Sequence, residues 1–205
     1  RTRGIPPREA RVIRLLTLTN LYPSEARPRH GIFVEQRLRR LVETGQVRGC
    51  VIVPVPQRPG GPRHPEPAVR HGIPLRYCPF PVIRGLTTPF HPVLMARAAR
   101  QALGTLRQVD REFDLVDGQF LYPDGVAAVR LAIELGRPVV LTARGSDVNV
   151  ALDERLAGRW IRWAADRAAA IIAVSRALRD RMAERGLPAD KITVLRNGVD
   201  LELFK

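Results

Sequence analysis

The sequence predicts an α/β domain with a doubly wound, mostly parallel, Rossmann-like sheet. Three observations predict this fold class: apolar strands alternate with helix-like segments through the second half, each strand is continuously apolar, and the connections are short and polar. With 205 residues, of which 45% are hydrophobic, the chain can bury one sizeable core without a disulfide framework or a metal. We therefore expect a single domain over residues 1–205.

The first half of the chain carries the less regular part of the pattern. Pro, Gly and Arg dominate residues 56–67, so the region 56–74 is predicted to be a mobile surface loop. The predicted strands and helices of this half are Val12–Leu18, Gly31–Glu43, Cys50–Val55, Leu75–Cys78 and Pro92–Val109. The side chains of the first helix that we expect in the core are Phe33, Leu38, Leu41 and Val42.

The second half repeats a strand-and-helix unit. Its predicted elements are Asp114–Val116, Asp124–Leu135, Pro138–Thr142, Asp153–Ala168, Ala170–Val174, Arg176–Arg185 and Ile192–Leu195. Parallel strands end at one edge of a sheet, and ligands bind in the crevice there. Five polar joints, one after the first strand of the chain and four after the strands of the second half, lie at this edge, so we expect the functional site where they converge.

The chain is strongly basic, with a formal net charge of +14. Only Lys191 and Lys205 are lysines, and the arginines are spread along the whole chain. This pattern fits a compositional bias as well as an anionic substrate or membrane surface. A nucleic-acid-binding protein is disfavoured, because aromatic residues make up only 5% of the chain and no recognition-helix pattern is present.

The remaining composition indicates a cytoplasmic chain without a metal centre. Cys50 and Cys78 are isolated, which suits packing residues in a reducing compartment. His71 and His91 have no ligand-type neighbours in the sequence, and no apolar run is long enough to cross a bilayer. Trp160 and Trp163, three residues apart on a predicted helix, are expected to pack. No set of residues with metal-ligand spacing is visible in the sequence, so no metal is predicted, and no cofactor is expected.

The stretch RHGIFVEQR, residues 29–37, opens the first predicted helix. Gly31 at this position permits close backbone approach, and the first helical N–H groups favour an anion such as a phosphate. Arg29 and His30 add positive charge. Alternatively, Gly31 only allows the turn and the arginines are solvated, since the stretch is neither a GxGxxG motif nor a P-loop.

The later joints carry further candidates. In TARGSDVN, Arg144 offers a fork of donors to a hydroxyl or a phosphate, and Asp147 either accepts from hydroxyls and orients Arg144 or caps its own turn. Ser175 is expected to cap the helix that follows it. Asn197 begins a turn pair with Gly198. Neither a nucleophile elbow nor a hydrolytic carboxylate pair is visible.

The order of the joints resembles the N-terminal half of retaining glycosyltransferase family 4, the group-1 nucleotide-sugar transferases of GT-B architecture. The matching segments are YPSEARPRHGIFVEQR, FDLVDGQFLYPDGVAA, RPVVLTARGSDVN, AIIAVSRALRDRM and DKITVLRNGVDLELF. The sequences RHGIFVEQR and TARGSDVN resemble those of the branch of this family that acts on polysaccharide or teichuronic-acid-type acceptors. The resemblance implies a single GT-B half and retaining transfer of a sugar from a nucleotide diphosphate sugar to a hydroxyl acceptor.

The resemblance also implies where the substrates lie. The first loop would lie under the donor diphosphate and face the acceptor. Gln119 occupies a position where relatives often have a histidine near the transferred sugar. Arg144 occupies a position in the loop after the fifth strand where many members have a histidine. Both residues are candidates for the cleft, and no catalytic residue is assigned. The implied substrate-binding residues are Arg29, His30, Gly31, Gln119, Tyr122, Arg144, Asp147, Ser175 and Asn197.

In this family the nucleotide-sugar pocket lies in a second domain, which would begin just after the NGVD segment. We expect the chain to be a fragment of a larger enzyme and inactive alone; the alternative is a non-catalytic half that pairs with a donor-binding subunit. The implied partners are a nucleotide sugar and a saccharide or lipid-linked acceptor. An anionic membrane surface is a further expected partner, at the inner face, through Arg37, Arg39, Arg40 and residues 56–67.

Overall fold

The computed structural model describes residues 12–24, 27–61, 66–83, 87–105 and 112–198. In this part of the chain an eight-stranded sheet has the order β3-β4-β2-β1-β5-β6-β7-β8. The strands are β1 Ile13–Leu18, β2 Val47–Gln57, β3 Ala68–Arg70, β4 Ile73–Pro81, β5 Leu115–Gln119, β6 Val139–Ala143, β7 Ala170–Ala173 and β8 Ile192–Val194. The α-helices are α1 Ile32–Glu43, α2 His91–Gly104, α3 Val126–Leu135, α4 Arg155–Arg167 and α5 Arg176–Glu184.

Every strand pairing is parallel except that of β3 with β4, which confirms the predicted doubly wound, mostly parallel sheet. The chain proceeds from β1 to β2 on one side and later places β5 on the other side of β1. Such a reversal of strand order opens a crevice at the carboxyl ends of the two neighbouring strands. The register pairs Thr17 with Asp117 across this point, and Gln119 with Thr142 on the next strand.

The two faces of the sheet carry different cores. The larger core joins Leu16 and Leu18 of β1 to buried side chains of α2, α3, α4 and α5. The smaller core joins Leu15 of β1 to Val34 and Leu38 of α1. Alternate residues of one strand point to opposite faces, which is why neighbouring leucines serve different cores.

The sequence placed four side chains of α1 in the core, and two of these predictions, those for Phe33 and Leu41, are wrong. Leu38 is buried and Val42 packs against the smaller core, whereas Leu41 is half-buried and lines a cleft. Phe33 is 36% exposed, and its ring lies 4.6 Å from the Arg144 guanidinium carbon. An aromatic face attracts a guanidinium, so Phe33 serves the edge of the sheet and not the core.

The predicted loop over residues 56–74 is wrong at both ends. Strand β2 continues to Gln57, and β3 and β4 form an antiparallel hairpin closed by His71 and Gly72, whose φ angles are 50° and 74°. Two positive φ angles in a two-residue turn suit the twist of a hairpin. The prolines that suggested a loop lie outside β3, whose residues are Ala68–Arg70. Residues 62–65 lie outside the described residues.

Other predictions about packing are confirmed, and the boundaries differ slightly. Cys50 and Cys78 are both buried, and burial raises the pKa of the Cys78 thiol to about 12. The rings of Trp160 and Trp163 meet edge to face at 5.6 Å and pack against the larger core. Helix α4 begins at Arg155, after a wide helical turn over Asp147–Ala151. The predicted end of α2 at Val109 lies outside the described residues.

Candidate functional site

Three loops meet at the carboxyl edge of the sheet. We call them the first loop (residues 19–31, described except for 25–26), the β5 loop (residues 120–125) and the β6 loop (residues 144–148). Each follows a strand at or next to the switch point between β1 and β5. The candidate site is built from these loops and the start of α1.

Asp147 ties the β5 and β6 loops together. Its carboxylate is fully buried and accepts hydrogen bonds from the backbone N–H groups of Leu121 at 2.8 Å, Gly145 at 2.7 Å, and Arg144 and Val148 at 3.1 Å. Burial raises the pKa of Asp147, and the N–H donors act against that rise. Asp147 therefore caps its own turn, as one of the two sequence interpretations has it, and also holds a second loop.

A chain of polar contacts runs along the strand ends. The Thr17 hydroxyl donates to Asp117 Oδ2 at 3.0 Å, and Gln119 Nε2 donates to Asp117 Oδ1 at 2.7 Å. Both Asp117 and Gln119 are buried. Because the amide nitrogen of Gln119 faces the carboxylate, its Oε1 points the other way and accepts from the Arg144 guanidinium. The buried carboxylate of Asp117 thus orients Gln119, and Gln119 in turn holds Arg144.

Arg144 lies at the centre of the site. Its Nη1 donates to Asn197 Oδ1 at 3.1 Å, its guanidinium stacks on Phe33, and its Nε is buried with no hydrogen-bond partner among the described residues. Burial, together with the nearby charge of Arg37, lowers the pKa of Arg144 to about 10. The guanidinium is still charged near neutral pH, and three of its five N–H groups, that of Nε among them, make no hydrogen bond to the described residues.

The first loop is held by contacts within itself. His30 Nε2 donates to the Asn20 carbonyl at 3.1 Å, and burial lowers the pKa of His30. Gly31, with φ at 69°, lies so close to Leu21 that an added Cβ would be 2.2 Å from the Leu21 carbonyl atoms. The close approach that Gly31 permits is therefore to the backbone of Leu21. Arg29 is exposed.

Ser175 caps α5, as the sequence predicts: its hydroxyl accepts from the Leu178 N–H at 3.2 Å. Tyr122 is half-buried, and burial raises the pKa of its phenol. The structure thus joins four of the predicted residues directly, Gln119, Arg144, Asp147 and Asn197. His30 and Gly31 connect to them only through the first loop.

Replacing the Ser175 cap is expected to cost little. We expect Ser175→Ala to lower the free energy of unfolding by about 1 kcal/mol, because the Leu178 N–H loses its acceptor. Urea unfolding of both proteins measures this difference. Ser175→Asn, which retains a capping oxygen, is the matched control; a loss as large in that variant would contradict the capping role.

A cleft of about 400 Å³ opens beside Arg144, between α1 and the ends of β6, β7 and β8. Its lining includes four arginines and no carboxylate: Arg37, Arg39, Arg40 and Arg196. Arg37 donates to the Thr142 hydroxyl at 2.9 Å, while Arg39 and Arg40 lie 3.4 and 3.1 Å from Glu43. The site and its cleft therefore present a positive surface at the carboxyl edge.

Several residues of this site were not found from the sequence. Asp117 and Thr17 lie inside apolar strands, where a polar residue is the signal that was available. Asp124 was treated as the start of a helix, yet its carboxyl is fully buried. In the described part of the chain no helix is long and apolar enough to cross a membrane, and no group of three potential metal ligands comes together.

The eight-stranded, mostly parallel α/β sheet is a fold that the chain shares with one half of several solved structures. Anabaena Alr3699/HepE, solved with UDP-glucose, superimposes with a TM-score of 0.62 at 17% identity over 94% of this chain and 46% of that one. UDP-GlcNAc 2-epimerase from Methanocaldococcus jannaschii gives 0.53 at 14% identity, over 90% and 46%. At these identities the likeness concerns the fold alone.

The sequence model of Glycosyltransferase Family 4 matches residues 34–203, and the chain belongs to that family. It is 31% identical over 206 residues to TuaC of Bacillus subtilis (strain 168), a protein assigned as a glycosyltransferase of teichuronic acid biosynthesis. This match covers 94% of the chain and 51% of TuaC, so the chain spans about half the length of that relative.

Proposed function

We propose that this chain is the acceptor-side domain of a retaining hexosyltransferase, which moves a sugar from a nucleotide diphosphate sugar to a hydroxyl acceptor. The product would be a polysaccharide or a glycolipid. Membership of Glycosyltransferase Family 4 supports the reaction class, and the assigned role of TuaC supports a cell-envelope polymer. The fold shared with a protein solved with UDP-glucose supports a nucleotide sugar as donor.

The observation that carries the proposal is the placement of Arg144. Its guanidinium is fixed by Gln119, Asn197 and Phe33 at the carboxyl edge of the sheet, with Nε unpartnered among the described residues. A buried, preorganised cation stabilises negative charge far more than the same cation in water. Arg144 is thus suited to stabilise the charge that develops on the diphosphate leaving group.

The chemistry asked of this domain is positional and electrostatic. In the transfer, the bond from the anomeric carbon to the diphosphate oxygen breaks and a bond to the acceptor oxygen forms. The acceptor hydroxyl gives up its proton, so the products are the glycoside, the nucleotide diphosphate and one proton. The amide of Gln119 has no titratable proton at neutral pH, so its contribution is to hold Arg144. The nucleotide sugar is the donor substrate, and the proposal requires no separate cofactor.

Donor binding is assigned to a second domain outside this chain, which is consistent with the share of TuaC that the chain covers. The isolated chain is therefore expected to turn over no nucleotide sugar. We propose a lipid-linked acceptor and an anionic membrane surface as further partners. Of the α1 arginines expected to meet that surface, Arg40 has the most exposed side chain and Arg37 is engaged with Thr142.

Arg144→Ala in the full-length protein is expected to lower kcat about 100-fold or more, because one preorganised charge at the leaving group is lost. Turnover is measured as nucleotide release from UDP-glucose, UDP-N-acetylglucosamine and GDP-mannose with a cell-envelope extract as acceptor. Binding of the free nucleotide, measured by calorimetry, is expected to stay within about threefold, since the donor site is assigned to the other domain.

The matched control is Arg159→Ala, which removes an exposed arginine of α4 remote from the site. Arg144→Lys keeps the charge but loses the fork that reaches both Gln119 and Asn197, so we expect an intermediate rate. Turnover by Arg144→Ala equal to that of Arg159→Ala would contradict the role proposed for Arg144.

A further inference from the structure

A second buried carboxyl group, Asp124, lies next to the site and has no role in the function proposed above. Its side chain is fully buried at the end of the β5 loop, immediately before α3. Oδ1 accepts from the Asn20 backbone N–H at 2.5 Å, and Oδ2 is buried with no hydrogen-bond partner among the described residues. A buried oxygen left without a partner costs stability, so the arrangement requires an explanation.

Asn20 transmits this contact to the first loop. Its N–H is held by Asp124, and its carbonyl accepts from His30 Nε2 at 3.1 Å. Gly31, which follows His30, packs directly on the Leu21 backbone. Asn20 therefore links Asp124 to His30, and its neighbour Leu21 contacts the glycine that precedes α1.

Backbone hydrogen bonds hold the β5 loop in place. The N–H of Phe120 donates to the Thr142 carbonyl at 2.9 Å, and the Gly125 N–H donates to the Phe120 carbonyl at 2.7 Å. Phe120 has φ at 88°, a conformation that non-glycine residues rarely adopt and that surrounding contacts must maintain. Asp124 thus connects the β5 loop, which directly follows Gln119, to the first loop.

We propose that Asp124 is a positioning residue for the transfer reaction: through Asn20 it sets the place of His30 and of the first turn of α1 relative to Gln119 and Arg144. The inference rests on the proposed function, because the reaction that it serves is the one assigned there. Asp124 contacts no reacting group; it acts through the first loop.

The carboxyl works in this role while it is protonated. Burial raises the pKa of Asp124 to about 8, and the negative charge of Asp147 on the β6 loop adds to the rise. The groups that act against it are the backbone N–H groups of Asn20 and of Asp124 itself. A neutral carboxyl accepts from Asn20 without placing a second buried negative charge beside Asp147.

The sign of the pH dependence follows from the raised pKa. Stability contributed by a group whose pKa is higher in the folded state is complete below the unfolded value near 4, and is lost as the pH rises through the folded value. Between pH 4 and pH 8 the folded protein keeps a proton that the unfolded chain gives up. Above pH 8 the buried charge forms, and we expect the first loop to shift and turnover to fall.

The test follows His30 by NMR in the full-length protein labelled with 15N-histidine, from pH 6 to pH 9.5. The pKa of His30 is lowered, so its own titration lies on the acid side, and an inflection near pH 8 reports another group. We expect this inflection in the wild type and in the control Asp166→Asn, an exposed carboxylate of α4. We expect none in Asp124→Asn, which keeps an oxygen for Asn20 but cannot ionise.

Turnover of UDP-glucose, UDP-N-acetylglucosamine and GDP-mannose with the cell-envelope extract is measured over the same range. Asp124→Asn is expected to lose the alkaline decline and stay within threefold of wild type at pH 7, whereas Asp124→Ala loses at least tenfold. If Asp124 had only a structural role, both variants would be less stable, and turnover would still decline at alkaline pH in both.

Two failures are distinguishable. If wild type transfers sugar and the His30 inflection persists in Asp124→Asn, or if Asp124→Ala matches the Asp166 control in turnover, this inference is overturned and the proposed function stands. If the wild type turns over no nucleotide sugar, the proposed function fails, and the positioning role fails with it even where the His30 inflection depends on Asp124.

Discussion

Gly31→Ala is expected to lower the free energy of unfolding by at least about 3 kcal/mol, a loss at the severe end for single substitutions. The alanine Cβ would lie 2.2 Å from the Leu21 carbonyl carbon and oxygen and 2.8 Å from the Tyr22 nitrogen. These are backbone atoms, so the first loop itself has to move. The φ of 69° adds the cost of left-handed backbone for a residue with a Cβ.

Gly45→Ala is the matched control, because Gly45 has φ at 72° and its Cβ would meet nothing within 4 Å. Its loss is expected to be about 1 kcal/mol, the conformational term alone. Urea unfolding monitored by circular dichroism compares the two variants with wild type. Equal losses would show that the contact with Leu21 contributes nothing and that backbone conformation explains both.

Asp147→Ala is expected to cost about 3 to 5 kcal/mol of the free energy of unfolding, since a buried charged acceptor of several hydrogen bonds is removed. Four backbone N–H groups lose their common partner, those of Leu121, Arg144, Gly145 and Val148. The β5 and β6 loops would then separate, and Arg144 would lose its place beside Gln119. Transfer by the full-length protein should fall together with stability.

Asp166→Ala, on the exposed face of α4, controls for the loss of a carboxylate and should stay within about 0.5 kcal/mol of wild type. Asp147→Asn turns one oxygen into a donor that faces other donors, and we expect it to lose most of what Asp147→Ala loses. Asp147→Ala as stable as Asp166→Ala in urea would refute the view that this carboxylate joins the loops.

Local pattern predicted much of the site, because strand ends and their polar joints are visible in the chain. Arg144 and Asp147 were recognised in one loop, and the capping alternative for Asp147 follows from the habit of aspartate to bind nearby N–H groups. The contact of Asp147 with Leu121, 26 residues away, has no such local signal. The same holds for Gln119, whose orientation depends on Asp117 and Arg144 together.

The errors have related causes. Phe33 fits the apolar stripe of α1, yet it lies at the end of the helix that meets the sheet edge, where a guanidinium supplies a better neighbour than the core. The Pro-rich composition of residues 56–74 concealed a hairpin, since most of those prolines precede β3 and the strand Ala68–Arg70 itself has none. Asp124 resembles a helix start, and only burial distinguishes it.

The sequence by itself determined the α/β class, the parallel order of strands and helices, and the edge at which polar joints collect, because hydrophobic periodicity and turn residues act over a few neighbouring positions. Only the tertiary structure decided which of those joints touch, that Gly31 approaches Leu21, and that Asp124 and Asp147 are buried side by side. Such contacts join residues up to about a hundred positions apart, as Asn20 and Asp124 are, and their energies depend on desolvation, which exists only once the chain is packed.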